Sequence, residues 1–156
     1  MSQKSSILHY ILAYVCWAVS TLLGILILNL ERETILLSMT LSAAEITDES
    51  QAFYQSLRVG TVSTWAWLVI GIITLIMLVG FEHMYRNAVP AGNLWKFFFL
   101  VTGIEATILF LIHTIYMTLN RTFRPITPMS IAILAGEALL AILFLVLFSI
   151  WRRKSS

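Results

Sequence analysis

The chain has few charged residues, and this shortage excludes a soluble globular protein. Only 12% of its 156 residues are Asp, Glu, Lys or Arg, whereas 59% are hydrophobic and the mean hydropathy is +0.88. A soluble domain of this length cannot hide so much apolar surface, because a large share of its residues must meet water. The composition therefore predicts an integral membrane protein.

Cysteine is nearly absent as well. The single Cys16 excludes an internal disulfide, a CxxC redox pair and a cysteine-rich zinc site. It lies in an apolar run, so we expect a buried free thiol that packs as a small apolar group. The net charge is only +2, and no basic stripe is present, so we expect no nucleic-acid partner.

The three histidines, His9, His83 and His113, are far apart in the sequence. A hydrolytic zinc site needs three clustered ligands, and this spacing does not indicate one. His9 and His83 are expected at similar depths, but at the ends of their spans, where haem ligation is unfavoured. The sequence has no P-loop or dinucleotide fingerprint, and no Ser-His-Asp arrangement. We expect no metal, no cofactor and no catalytic chemistry.

Four stretches are long and apolar enough to cross a membrane, which takes about 20 residues as a helix. They cover residues 8–30, 62–81, 97–119 and 129–151. They do not alternate polar with apolar residues as membrane β-strands do, and helices also satisfy every backbone hydrogen bond in lipid. We predict an all-α integral membrane protein. It is a single domain over residues 1–156, folded as an up-down-up-down bundle of four transmembrane helices.

The first connection, residues 31–61, is predicted to contain a short amphipathic helix. Asp48 can cap this helix, Phe53 and Leu57 share one of its faces, and Gly60 can end it. We expect the helix to cover the end of the bundle. The alternative is that it forms a docking surface for another chain.

The other two connections have simpler signals. Residues 87–93 contain Pro90 and Gly92, which predict a turn. Thr127 can cap the fourth span, with Pro128 at its first helical position.

Lysine and arginine predict the orientation, because they are enriched in cytoplasmic segments. With four spans, one side of the membrane carries Lys4, Arg86, Lys96, Arg152, Arg153 and Lys154. The other side carries four arginines, Arg32, Arg58, Arg121 and Arg124, and five acidic residues, Glu31, Glu33, Glu45, Asp48 and Glu49. We expect both termini to be cytoplasmic and residues 31–61 to be extracytoplasmic.

Polar residues inside the spans are the candidates for function. A charge at mid-membrane costs about 2.5–3.5 kcal/mol even on the mildest scale. Glu105, His113 and Tyr116 fall within an arc of about 80° on the third span, at 100° per residue. Glu137 lies in the fourth span. We name Glu105, His113, Tyr116 and Glu137 as the candidate intramembrane polar site.

The hairpin of the third and fourth spans predicts one contact within this set. It places His113 within one turn of Glu137, so a side-chain contact is allowed. Glu105 lies deeper towards the cytoplasmic side and would need Thr102, Tyr116 or a group on the first or second span. Three interpretations are open: neutral glutamates that hydrogen-bond between helices, a proton or ion path, and contact with a partner subunit or cofactor.

Small residues indicate where helices approach closely. The candidates are Ser20 and Gly24 in the first span, Gly103 in the third and Gly136 in the fourth. The third span has polar residues on one arc and small residues or threonines on the opposite one. It is therefore the best candidate for the centre of the bundle.

The sequence predicts a small multi-pass membrane protein. We expect a non-catalytic subunit or accessory of a larger membrane protein complex, with the lipid bilayer and other membrane subunits, or copies of itself, as partners. The alternative is a small oligomeric proton- or ion-coupled transporter or channel that uses Glu105, His113 and Glu137.

Overall fold

The computed structural model describes residues 3–44, 48–121 and 125–154, and these form four α-helices. They are α1 (Gln3–Ala44), α2 (Glu49–Ala88), α3 (Leu94–Asn120) and α4 (Pro128–Lys154). Each helix contains a segment long and apolar enough to cross a membrane. The all-α prediction is confirmed, and the four helices indicate a multi-pass membrane protein.

The helix boundaries follow the proline and capping signals. Pro90 lies in the turn between α2 and α3, and Pro128 is the first residue of α4. Thr127 caps α4 as predicted, because its Oγ1 accepts a hydrogen bond from the backbone N–H of Ser130 at 3.2 Å. Gly92 adopts a φ of 68°, which glycine tolerates without strain and which closes the turn before α3.

The first connection differs from the prediction. Residues 31–44 belong to α1 and residues 49–61 to α2, so the expected separate short helix is not a separate element in the described ranges. Asp48 does cap a helix: its side chain accepts from the backbone N–H of Ser50 at 2.9 Å. That helix then continues through Gly60 to Ala88. A glycine in a helix interior costs only about 1 kcal/mol, which is too little to end a helix that has favourable residues on both sides.

The first two helices are longer than a membrane requires. The 42 residues of α1 span about 63 Å at 1.5 Å per residue, against about 30 Å of hydrocarbon. The charged run Glu31-Arg32-Glu33 would be costly within hydrocarbon, so we expect the membrane boundary on α1 at this run. We call residues 33–44 of α1 and 49–61 of α2 the α1–α2 extension.

Arg32 joins the two helices at the base of this extension. Its Nη2 donates a hydrogen bond to the Ser63 hydroxyl at 2.6 Å, and its guanidinium carbon lies 4.6 Å from the ring centroid of Trp67. Its Nη1 lies 2.6 Å from Glu33 Oε1. A charged side chain with three such partners is well placed at the polar edge of a membrane.

The helices pack in the order α2, α1, α3, α4. The helix α1 packs against α2 and α3, and α3 packs against α1 and α4, whereas α2 makes few contacts with α3. Over the described ranges, the backbone of α4 does not come close to the backbone of α1 or α2. The prediction that the third span is central is confirmed, although it shares this position with α1. The bundle is therefore open, and α2 and α4 each present a wide apolar face outwards.

Side-chain contacts show that the helices alternate in direction. Ser20 of α1 meets Tyr85 of α2, and Gly103 of α3 lies against Leu145 of α4. The start of α1 and the end of α4 consequently lie at one end of the bundle, where His9 and Trp151 line the same cavity. We call this the terminal end. The opposite end carries the α1–α2 extension.

The best-buried cluster lies towards the terminal end. Its members are Ala13, Cys16, Tyr85 and Leu94, from α1, α2 and α3. Cys16 is a buried free thiol, as its apolar neighbours predict. Close by, the indole Nε1–H of Trp17 donates to the backbone carbonyl of Leu78 at 2.9 Å, which fixes α1 against α2.

Candidate intramembrane polar site

Glu105 is buried where α3 faces α1. Only 7% of the residue is exposed, and neither carboxyl oxygen has a hydrogen-bond partner among the described residues. Neither expected partner provides one, since neither Thr102 nor Tyr116 hydrogen-bonds to this carboxyl within the described part of the chain. Burying a polar group without a hydrogen bond is costly, so this carboxyl is a feature that packing alone does not explain.

Gly24 makes room for this carboxyl. A Cβ built on Gly24 would lie 3.7 Å from Glu105 Oε1, and it would collide with the thioether end of Met77 from α2. Three helices therefore meet at one point, where the absence of a side chain on α1 accommodates a carboxyl from α3 and a methionine from α2. Gly24 therefore faces side chains of both α2 and α3.

An apolar crevice lies beside Glu105, between α1, α2 and α3. It has a volume of about 350 Å³ and is open on one side. Its lining residues are Gly24, Ile27, Leu28, Met77, Phe81, Val101, Ile104, Glu105 and Ile108. Ile104 and Ile108 are 48% and 40% exposed and stand at its rim. The only ionisable side chain in the lining is Glu105.

His113 and Glu137 form a polar pair between α3 and α4. The imidazole Nδ1 lies 2.9 Å from Oε1 and 3.0 Å from Oε2 of the carboxyl group. Each side chain is 15% exposed. With a hydrogen on Nδ1, the ring donates to both carboxyl oxygens. The contact therefore gives the Nδ1–H and both oxygens a hydrogen-bond partner in apolar surroundings. The contact that the hairpin predicts is present.

The structure thus divides the four candidate residues. His113 and Glu137 lie together, but Glu105 lies eight residues earlier on α3, about 12 Å along the helix axis, and faces α1 rather than α4. Tyr116 is partly exposed and joins neither arrangement by a hydrogen bond. The predicted single site is therefore two separate arrangements, and Tyr116 belongs to neither.

Among the predicted packing residues, Ser20 and Gly103 lie at contacts between helices, whereas Gly136 does not. Ser20 is fully buried and shares a 2.7 Å hydrogen bond with the Tyr85 hydroxyl. At Gly103, a Cβ would lie 2.9 Å from the Leu145 side chain and 3.3 Å from its backbone nitrogen, so α3 and α4 approach closely there. At Gly136, a Cβ would meet nothing within 4 Å, although the next residue, Glu137, reaches α3 through His113.

The sequence did not single out Tyr85 or Met77. Tyr85 is 1% exposed and forms one of the polar links between α2 and α1, yet it stands among Glu82, His83 and Arg86, a pattern typical of an exposed helix end. Met77 is one apolar residue in an apolar run. Neither carries a pattern that distinguishes it before the helices are packed.

No group of three His, Cys, Asp or Glu side chains is close enough to hold a metal ion in the described ranges. His83 hydrogen-bonds to Asn87 on the same helix at 2.9 Å, and His9 lines a cavity at the terminal end. His113 pairs with Glu137 on the other half of the bundle. The three histidines thus lie in three different environments.

Comparison with known proteins gives no relative, since no family model, curated protein or solved structure matches the chain. We therefore infer function from the side chains and their contacts.

Proposed function

We propose that this small multi-pass membrane protein is a non-catalytic subunit or accessory of a larger membrane protein complex. The observation that carries the proposal is the exposed apolar surface of the α1–α2 extension. Phe53, Tyr54 and Leu57 lie on its α2 part and are 62%, 67% and 53% exposed. The charged run at residues 31–33 supports a position beyond the hydrocarbon for them, where apolar side chains would meet water rather than lipid.

Grouped aromatic and aliphatic side chains in water favour contact with another protein. Phe53 and Leu57 are one helical turn apart and therefore form one continuous ridge. Arg32 of α1 contacts Ser63 and Trp67 of α2 where the extension begins, so the two helices that form the extension are held together there. The open order of the helices adds further unoccupied surface, because α2 and α4 each pack against one main neighbour.

Co-purification from native membranes in mild detergent tests this proposal. We expect the wild-type chain to elute in a stable complex with other membrane proteins. The double variant Phe53→Ser with Leu57→Ser should reduce the recovered partner by about tenfold, which corresponds to about 1.4 kcal/mol. Gln51→Ala, an exposed polar change on the same turn of helix, is the matched control and should retain the partner. A wild-type protein that elutes alone or only with its own copies would refute the subunit role.

Proton- or ion-coupled transport is a second candidate, and the buried carboxyl of Glu105 favours it. Intramembrane carboxyls without a structural partner mark ion pathways in many membrane proteins. In proteoliposomes, a transporter should give pH- or ion-dependent flux that Glu105→Gln abolishes. Flux no greater than in protein-free liposomes would exclude this candidate.

A further inference from the structure

We propose that the crevice between α1, α2 and α3 binds a membrane-soluble primary amine, with its alkyl chain in the crevice and its amino group on the Glu105 carboxyl. The volume of about 350 Å³ falls within the range of small-ligand sites. Two independent observations support this site: an apolar cavity, and a buried carboxyl that has no hydrogen-bond partner among the described residues.

The chemistry of the lining selects the ligand. All other side chains around the crevice are aliphatic, aromatic or thioether groups, so the ligand must be largely apolar. The Glu105 carboxyl is an acceptor that no described donor satisfies. A primary amine supplies several N–H donors and, when protonated, an opposite charge, and charge-assisted hydrogen bonds of this kind are the strong ones.

Within the described ranges, no side chain or backbone group of the protein donates to this carboxyl. The cation nearest along α1 is Arg32, eight residues beyond Gly24, about 12 Å along the axis. Its guanidinium is already engaged by Glu33, Ser63 and the Trp67 ring. The Glu105 carboxyl is thus available to a molecule that enters from the membrane.

Entry requires one side chain to move. The thioether end of Met77 lies over Gly24, next to the Glu105 carboxyl. Methionine is unbranched and changes rotamer readily, so it can turn aside without moving a helix. The exposed rim at Ile104 and Ile108 places the opening between helices, where a lipid-dissolved molecule arrives directly.

Equilibrium binding of tritiated decylamine to the purified full chain in nanodiscs tests the proposal, with binding to empty nanodiscs subtracted. We expect saturable binding that Glu105→Gln weakens at least tenfold. Glu137→Gln is the matched control, since it alters an intramembrane carboxyl outside the crevice, and it should bind as the wild type does. Val101→Phe fills the crevice while keeping Glu105, and it should also weaken binding at least tenfold.

Competition identifies the chemistry of the polar end. Unlabelled decylamine should displace the probe at least tenfold better than decyltrimethylammonium, which has the same tail and charge but no N–H donor. It should also displace the probe better than decanol, which has a donor but no charge. Wild-type-like binding by Glu105→Gln, equal competition by either analogue, or no saturable binding would each overturn the proposal. The experiment uses no partner protein and no ion gradient, so its result is independent of both functions proposed above.

Discussion

The imidazole of His113 on α3 is bound to the carboxyl of Glu137 on α4 through contacts of 2.9 and 3.0 Å, and this is the polar link between these two helices. The two residues are 24 positions apart in sequence, across the α3–α4 connection. Each would otherwise present an unpaired polar group to apolar surroundings. The pair is therefore a structural contact whose strength can be measured directly.

A double-mutant cycle should detect coupling between His113 and Glu137. We expect His113→Phe, Glu137→Gln and the double variant to give a coupling free energy of about 0.6 kcal/mol, the average for interhelical hydrogen bonds in membranes. The measurement is the free energy of unfolding in mixed detergent micelles. Strictly additive effects of the two changes would contradict the contact.

Glycines at close helix contacts should respond differently from a glycine in open space. Gly103→Leu places a side chain against Leu145, and Gly24→Leu places one against Met77 and Glu105, so each should lower the free energy of unfolding by about 1–3 kcal/mol. Gly136→Leu is the matched control, because its Cβ meets nothing within 4 Å. It should be neutral or stabilising, since leucine is the better helix former. Equal stability of the three variants would argue against the packing described for α1 and α3.

The cap of α2 should weaken in acid. The hydroxyl and backbone N–H of Ser50 both donate to the Asp48 carboxyl, at 2.8 and 2.9 Å, and they lower its pKa. Because the folded pKa is depressed, the stabilisation is present above the ordinary aspartate pKa of about 4 and is lost as the pH falls through the lowered value.

Hydrogen exchange of residues 49–61 measures this effect. In the wild type, protection of the first turn should fall as the pH is lowered below about 4, whereas Asp48→Asn retains an oxygen acceptor and should not show this added loss. Asp48→Ala should exchange faster than both at neutral pH. Identical pH profiles for Asp48→Asn and the wild type would mean that the carboxylate does not stabilise the cap.

The orientation in the membrane can be tested with a single cysteine. The distribution of lysine and arginine predicts that the α1–α2 extension is extracytoplasmic and that both termini are cytoplasmic. With Cys16→Ala as background, Ser50→Cys should react with an impermeant thiol reagent added outside intact cells, and Ser2→Cys should not. Labelling of Ser2→Cys from outside would reverse the proposed orientation.

Local sequence patterns determined the helices and one side-chain contact. The four apolar runs predicted the spans because length and hydropathy alone decide whether a helix can cross lipid. Thr127 predicted the start of α4, and Asp48 predicted the start of a short helix that the structure shows as the first turns of α2, since capping depends on a few adjacent residues. The pairing of His113 with Glu137 followed from depth, because a short connection between antiparallel helices fixes which residues lie level.

Only the tertiary structure decided which helices are neighbours and which way each one is rotated. Lipid-facing and helix-facing residues are equally apolar, so hydropathy does not distinguish the two faces of a membrane helix. For that reason the sequence could not show that Glu105 lies without a partner beside Gly24 and Met77, that Tyr85 is buried against Ser20, or that Gly136 faces open space. The helical continuation of α1 through residues 31–44 and of α2 through residues 49–61 was also missed, because charged residues interrupt an apolar run but do not end a helix.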